Sequence, residues 1–169
     1  LLDGSAVEVE FQPANVVNPF LSIDDGTLSG LTIGGFSINT TSTLGRLHGG
    51  TLGAQFEIRD ELAPEAQRQI DALARDMIER FESNTVDPTL AVGQAGLFTD
   101  AGSALDPTLE NGLANRISLN ALVDPDGGGE TWRIRDGLGA TAPGTSGDAT
   151  LLNALSATLS ETRVPPSGD

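Results

Sequence analysis

Few side chains in this sequence could act as nucleophiles, bases or metal ligands. His48 is the only histidine, and the chain contains no Cys, no Lys and no Tyr. A Ser-His-Asp triad needs an imidazole beside a serine on a sharp turn, and no serine here has the flanking glycines of such a turn. A zinc site needs three or four His, Cys or carboxylate ligands. We therefore predict no catalytic, cofactor-binding or metal-binding residues and no enzyme activity, with His48 as a loop or cap residue.

Carboxylates are the remaining reactive groups. A glycoside hydrolase would pair two of them beside aromatic sugar platforms, but the aromatic content is only 4%. Asp124, Asp126 and Glu130 lie in a glycine-rich stretch, and calcium prefers carboxylate oxygens. The glycines do not fall where an EF-hand loop places them, so the pattern favours a solvated loop. A secreted calcium-binding, adhesin-like module stays open as an alternative.

The charge balance limits the possible partners. The chain has 24 acidic and 9 basic residues, for a net charge of −15. Nucleic-acid binding needs clustered positive charge, and anionic membranes repel a negative surface, so neither is an expected partner. No stretch approaches the roughly 18 apolar residues of a membrane span. Because the sequence opens at Leu1 rather than Met, we expect an internal fragment.

Residues 1–48 have the alternation of short β-strands. In 7–11, Val7, Val9 and Phe11 share one face and two glutamates share the other, which is typical of a half-buried strand. Gly34-Gly35 predicts a hairpin turn between two further alternating runs. The predicted strands are 7–11, 21–23, 31–33 and 36–39, with a turn at Asp24-Asp25-Gly26.

Residues 49–84 form the most regular segment. From Pro64 onwards, apolar residues recur at steps of three and four, which predicts one face of a helix made of Ala66, Ile70, Leu73, Met77 and Phe81, with Ala74 and Ile78 alongside. Pro64 must begin a second helix or kink a continuous one, because its nitrogen has no proton to donate. Asp71–Arg75 and Asp76–Arg80 are spaced as i,i+4 ion pairs.

The rest of the chain returns to loops and short elements. Alternation predicts strands at 116–120 and 132–135, and glycine-rich composition predicts loops at 124–129 and 142–147. Asp148 is a suitable N-cap for a late helix. Four segments result: 1–48, 49–84, 85–147 and 148–169. Together they predict an α+β fold with one long kinked or broken helix, a shorter late helix nearby and antiparallel β-structure.

The stretch 49–75 resembles the middle of the flagellar hook-associated protein 1 family. Gly49–Gly53 matches its Gly-Gly-x-Leu-Gly opening, Arg59-Asp60 its Arg-Asp pair, Pro64 its proline and 70–74 its Leu-Asp-x-Leu-Ala helix. Looser similarity continues to about residue 160, through Gly96-Leu97-Phe98, Ile117–Asn120 with Asp124-Pro125, and Gly147-Asp148. The family's His after the long helix has no counterpart in 82–87, and its terminal helices are not in this sequence.

The resemblance implies a mechanical role. Members of the family are exported through the flagellar secretion channel and form the junction between hook and filament. The implied partners are the hook protein, other hook-associated proteins, further copies of the full-length protein and an export chaperone, outside the cell on the flagellum. Arg59 and Asp60 are expected to be helix-surface residues or intramolecular pairing residues. The fragment is expected to be monomeric because the assembling helices are missing. Another axial protein, such as a flagellin, is the nearest alternative.

Overall fold

The computed structural model describes residues 6–11, 20–23, 26–28, 30–40, 47 and 49–167. The chain divides into two compact units, Leu1–Gln67 and Arg68–Asp169. The strands are β1 Val9–Phe11, β2 Leu31–Ile33, β3 Phe36–Ile38, β4 Phe98–Asp100 and β5 Ile117–Leu119. The α-helices are α1 Gly50–Glu57, α2 Ala63–Phe81, α3 Leu113–Arg116, α4 Arg133–Asp136 and α5 Thr150–Ser160. This architecture confirms the α+β prediction.

The first unit contains a three-stranded antiparallel sheet in the order β1-β2-β3. The two-residue turn between β2 and β3 is Gly34-Gly35, and both glycines have positive φ, 57° and 78°. Such a turn matches the twist of the flanking strands, and side chains rarely adopt these angles, which is why glycine stands at both positions. The predicted hairpin is therefore confirmed.

Two other strand predictions for the first unit differ from the structure. Residues 21–23 form no strand; the hydroxyl of Thr27 accepts the N–H of Ser22 at 2.9 Å and closes a turn there. Strand β1 covers only Val9–Phe11, and its residues are exposed rather than half-buried. The predicted turn residues Asp24 and Asp25, and the candidate His48, lie outside the described residues.

A continuous run of helix extends from Gly50 to Phe81 and contains one turn of π-helix between two α-helical segments. Residues Ile58–Leu62 form a turn of π-helix, and the N–H of Ala63 reaches the carbonyl of Ile58. Pro64, next in the chain, cannot donate a backbone hydrogen bond, so a wider turn here lets the helix pass the proline. The proline thus lies in a joined helix rather than at a break. None of the described helices combines the length and apolar composition of a membrane span.

The predicted apolar face of α2 is confirmed only in part. Ala74, Ile78 and Phe81 are buried as predicted, whereas Ile70 and Leu73 are 49% and 59% exposed. The buried residues of α2 are Asp71, Ala72, Ala74, Asp76, Ile78 and Phe81. This helix therefore turns carboxylates inward along with its apolar residues.

The second unit has two small apolar clusters. Ala74 and Ile78 of α2 pack with Leu113, and four partly buried residues surround them: Phe98, Leu105, Ala114 and Ile117. The ring of Phe81 meets that of Phe98 edge-on, with centroids 5.2 Å apart. The second cluster consists of Leu90, Val123 and Leu138, with Leu97 and Ile134 against it.

Short elements connect these clusters. Strands β4 and β5 pair antiparallel, with Thr99 opposite Ser118, so the strand predicted around 116–120 is confirmed. The strand predicted at 132–135 is wrong, because Arg133–Asp136 is one turn of helix. The late helix is present, but its N-cap position is Ala149 rather than the predicted Asp148. The Asp148 carboxylate, one residue earlier, accepts the N–H of Thr150 at 2.9 Å.

Gly96 lies where the chain passes over the end of α2. A Cβ atom at this position would lie 2.0 Å from the carbonyl oxygen of Phe81, well inside any real contact. Because that oxygen belongs to the backbone, it cannot move aside as a flexible side chain would. Glycine is therefore required at position 96 by space rather than by backbone angle.

We expect Gly96→Ala to lower the free energy of unfolding by about 3 kcal/mol, through overpacking. The measurement is denaturant unfolding followed by the fluorescence of Trp132, the only tryptophan, which lies in the second unit. The control is Gly127→Ala, whose Cβ would make only an ordinary 3.4 Å contact with the Asp124 carboxylate. Equal stability of the two variants would contradict this account of Gly96.

Candidate functional site

The feature of this structure closest to a functional site is a set of inward-facing aspartates. Among the described residues, eight apolar and eight polar side chains are buried, and five of the polar ones are aspartates: Asp60, Asp71, Asp76, Asp87 and Asp100. We call these five the buried carboxylates. No buried side-chain nitrogen or oxygen in the described part of the chain is without a hydrogen-bond partner. The partners of their hydrogen bonds decide whether these carboxylates are reactive or structural.

The side chain of Asp71 accepts hydrogen bonds at the start of helix α3. Its two carboxylate oxygens accept the N–H groups of Gly112 and Ala114, each at 2.7 Å. Helix α3 begins at Leu113, and the first N–H groups of a helix have no partner within it. A carboxylate from α2 therefore satisfies donors that would otherwise be buried and unpaired.

Asp87 ties two loops together. One oxygen accepts the N–H of Thr89 at 2.9 Å and its hydroxyl at 2.6 Å. The other accepts the N–H of Leu138 at 2.9 Å, and the hydroxyl of Thr89 accepts the N–H of Gly139 at 3.0 Å. The segment around 87–90 and the segment around 137–140 are thus held side by side at the second apolar cluster.

Asp100 forms a forked ion pair with Arg116. The distances are 2.7 Å from Nε to Oδ1 and 3.2 Å from Nη2 to Oδ2. The hydrogen bonding of Arg116 to the Asp100 carboxylate raises the pKa of the guanidinium, which stays charged. Arg116 also donates to the backbone carbonyls of Leu109 and Asn111. One guanidinium therefore joins strand β4 to the loop before α3.

Asp76 anchors the end of the chain to α2. It accepts hydrogen bonds from Arg80, at 2.6 Å, and from Arg163. Arg80 also donates to the carbonyls of Thr158 and Glu161, at 2.8 and 2.7 Å, where α5 ends. Free carbonyls at a helix C-terminus attract a cation, so Arg80 is well placed. The predicted Asp76–Arg80 pair is present, and Arg163 joins the segment after α5 to the same carboxylate.

Arg59 and Asp60 pair with each other, as the resemblance implied. The Asp60 side chain is fully buried, and its Oδ2 accepts from Nη2 of Arg59 at 2.8 Å. The Arg59 guanidinium lies over the ring of Phe56, 4.8 Å from its centroid. Both residues stand in the π-helical turn. The two opposite charges therefore pair within the first unit.

In the acidic loop after β5, the carboxylate of Asp124 accepts a hydrogen bond from the backbone of the same loop. Asp124 accepts the N–H of Asp126 at 3.0 Å through its side chain, and its carbonyl accepts the N–H of Gly129 at 2.7 Å. Oε2 of Glu130 lies 3.7 Å from Nη2 of Arg133. Across the described residues, no three His, Cys, Asp or Glu side chains lie close enough together to hold a metal ion. The loop forms a turn, as its composition predicted.

One signal in the sequence could have identified several of the structural aspartates. Asp87, Asp106 and Asp148 are each followed two residues later by a threonine, and each accepts both the N–H and the hydroxyl of that threonine. Asp-x-Thr is a typical sequence for such a side-chain turn. These hydrogen bonds lower the pKa of Asp106 and of Asp148. The partners of Asp71 and Asp100 have no comparable local signal.

The chemistry available from this arrangement is acceptance of hydrogen bonds. All five buried carboxylates have both oxygens bonded to N–H, hydroxyl or guanidinium donors. A general base needs a lone pair directed at a substrate. Comparison with protein-family models, curated proteins and solved structures finds no match to this chain.

We expect Asp71→Asn to lower the free energy of unfolding by about 2 kcal/mol or more. An asparagine keeps one acceptor oxygen but turns an N–H₂ group towards a backbone N–H, which leaves a buried donor unsatisfied. The control is Asp126→Asn, which removes the same charge from an exposed position and should change stability by less than about 0.5 kcal/mol. Both are measured by denaturant unfolding with Trp132 fluorescence. Equal effects would show that charge alone matters.

Glu82 gives the second unit a defined dependence on pH. Burial raises the pKa of its carboxyl, the N–H of Leu105 lowers it, and the charge of Glu79 raises it again, for a net increase. The folded state therefore binds a proton at Glu82 more tightly than the unfolded state does. This group destabilises the folded state at neutral pH, and that penalty disappears as pH falls below the ordinary value of about 4.5.

We expect Glu82→Gln to raise the free energy of unfolding at pH 7, because glutamine keeps an oxygen for Leu105 without the buried charge. The gain should shrink as pH is lowered towards 4.5. Unfolding is followed from pH 4 to 8, with Glu161→Gln as an exposed control whose effect should vary less with pH. A gain that stays constant over this range would disprove the raised pKa.

Proposed function

We propose that this chain is part of a structural subunit of the bacterial flagellum, in the family of hook-associated protein 1, at the junction of hook and filament. The observation that carries the proposal is the stretch 49–75, where the resemblance is specific. Five of the motif residues there have a structural task. Gly49 and Gly50 have positive φ at the start of α1, Arg59 and Asp60 pair in the π-helical turn, and Pro64 follows it.

The use of charge also supports a mechanical role. The buried carboxylates and the arginines Arg59, Arg80, Arg116 and Arg163 are engaged in ties that hold loops and helix ends. Such ties suit a protein whose work is to keep its shape while it contacts neighbours. The proposed partners are the hook protein, other hook-associated proteins and further copies in the full-length protein, with a chaperone before export. The isolated chain is proposed to be monomeric.

The test uses the absence of cysteine from this chain. Val92 is 92% exposed, so Val92→Cys in the full-length protein provides one thiol for a fluorescent maleimide. Living flagellated cells of the source organism are labelled and imaged, and we expect one spot per flagellum where hook meets filament. The controls are the unchanged protein and Ile78→Cys, whose side chain is fully buried. Immunogold labelling of sheared flagella with an antibody against this chain gives an independent position.

The outcomes separate the alternatives. Label along the whole filament would make this a flagellin-like subunit. Label elsewhere on the cell or in the medium, with none on intact or sheared flagella, would disprove the flagellar proposal. That result would favour the secreted adhesin-like module.

A further inference from the structure

The chain contains one Asn-Gly pair, Asn111-Gly112. In such a pair the backbone nitrogen of the glycine can attack Cγ of the asparagine, because glycine has no side chain to obstruct the approach. A C–N bond forms, the nitrogen gives up its proton, and the side-chain amide leaves as ammonia, so that a five-membered succinimide ring remains. Water then opens the ring at one of its two carbonyls and leaves aspartate or isoaspartate.

The structure holds the peptide group between these two residues at both ends. The N–H of Gly112 donates to Oδ2 of Asp71 at 2.7 Å, and this hydrogen bond is buried. The carbonyl oxygen of Asn111 accepts a hydrogen bond from Nη1 of Arg116 at 2.9 Å. This carbonyl and this N–H belong to one planar group, so the two bonds together restrain its rotation. Attack on Cγ requires the nitrogen to lose its proton and turn towards the side chain, and both changes break the bond to Asp71.

The residues that hold this peptide group are themselves fixed. Asp71 is 2% exposed, and its other oxygen accepts the N–H of Ala114 at 2.7 Å. Arg116 is joined to Asp100 by the forked ion pair. Opening leaves a buried carboxylate oxygen without its donor, which is costly, so the open form is rare. Asn111 itself is exposed, so water reaches the place where a ring would be hydrolysed.

We propose that Asn111-Gly112 is a latent site of self-modification, which the hydrogen bonds from Asp71 and Arg116 keep closed. Ring formation proceeds only in molecules in which the bond between Gly112 and Asp71 has opened. The chain supplies the nucleophile and the leaving group, and water is the other reactant. The site lies in the second unit and does not depend on the flagellar proposal.

The modification also prevents the closed form from returning. The N–H of Leu113 donates to the carbonyl of Glu110 at 2.9 Å, which closes a turn around the pair. Isoaspartate routes the main chain through the side-chain carbon and adds one atom to it inside this turn. The turn then no longer presents the Gly112 N–H to Asp71 in the same geometry. A transient opening is thereby converted into a permanent change.

The experiment follows deamidation of the full 169-residue chain at mildly alkaline pH, where the backbone N–H loses its proton more readily. Samples are digested at acidic pH, and the peptides are weighed and fragmented, since replacement of –NH₂ by –OH adds about 1 Da. The reference is a synthetic peptide with the sequence of residues 106–116, which has the pair without the fold. We expect modification of Asn111 to be at least about tenfold slower in the folded chain than in the peptide.

Matched variants test the role of Asp71. Asp71→Asn should speed modification of Asn111 at least about tenfold, because an N–H₂ group turned towards the Gly112 N–H favours the open form. The control is Asp87→Asn, which removes the same charge and the acceptor for the Leu138 N–H elsewhere in the unit, and it should change the rate by less than about twofold. Trp132 fluorescence shows that each variant is folded during the assay.

Two further variants keep the test decisive if Asp71→Asn does not fold. Arg116→Lys retains a charge beside Asp100 but has one nitrogen, which cannot also reach Asn111, and it should speed modification at least about threefold. Asn111→Gln should abolish the mass gain at this position, because the longer side chain would have to close a six-membered ring.

The contrary results are distinct. Equal rates in the folded chain and the peptide would show that the hydrogen bonds do not close the site. Equal acceleration by Asp71→Asn and Asp87→Asn would show that global unfolding controls the reaction rather than local opening. A mass gain at other asparagines, with Asn111 unchanged in Asp71→Asn and Arg116→Lys, would also overturn the proposal.

Discussion

Carboxylates accepting buried hydrogen bonds hold the second unit together. An ionised carboxylate away from water is costly unless its oxygens are bonded, and an unpaired backbone N–H is costly in the same way. Asp71 and Asp87 each meet both requirements at once, by bringing their oxygens to backbone N–H groups of distant segments. Asp100 meets the first requirement, because both of its oxygens bond to the Arg116 guanidinium. The two apolar clusters are small, so these polar ties also decide how loops and short elements are arranged around α2.

The long helix is the element on which these ties converge. Asp71, Asp76 and Arg80 all project from α2, and they reach the start of α3, the end of α5 and the C-terminal segment. A helix that orients charged side chains inward needs a defined rotation about its axis.

The two units use their residues in contrasting ways. In the second unit, ion pairs and caps among the described residues join α2 to the elements around it. In the first unit, Val9, Phe11 and Phe36 of the three-stranded sheet are exposed.

Local chemistry in the sequence determined the elements that depend on neighbours only. Positive φ at Gly34-Gly35 produces the hairpin, three- and four-residue periodicity produces the helix through 64–81, and Asp148 with Thr150 starts α5. Four alternating residues at 132–135 were too few to distinguish strand from helix. Only the tertiary structure decided which face of α2 is buried and which aspartates turn inward. The partners of Asp71 and Asp87 lie 41 and 51 residues further along the chain, and no local pattern records contacts at that separation.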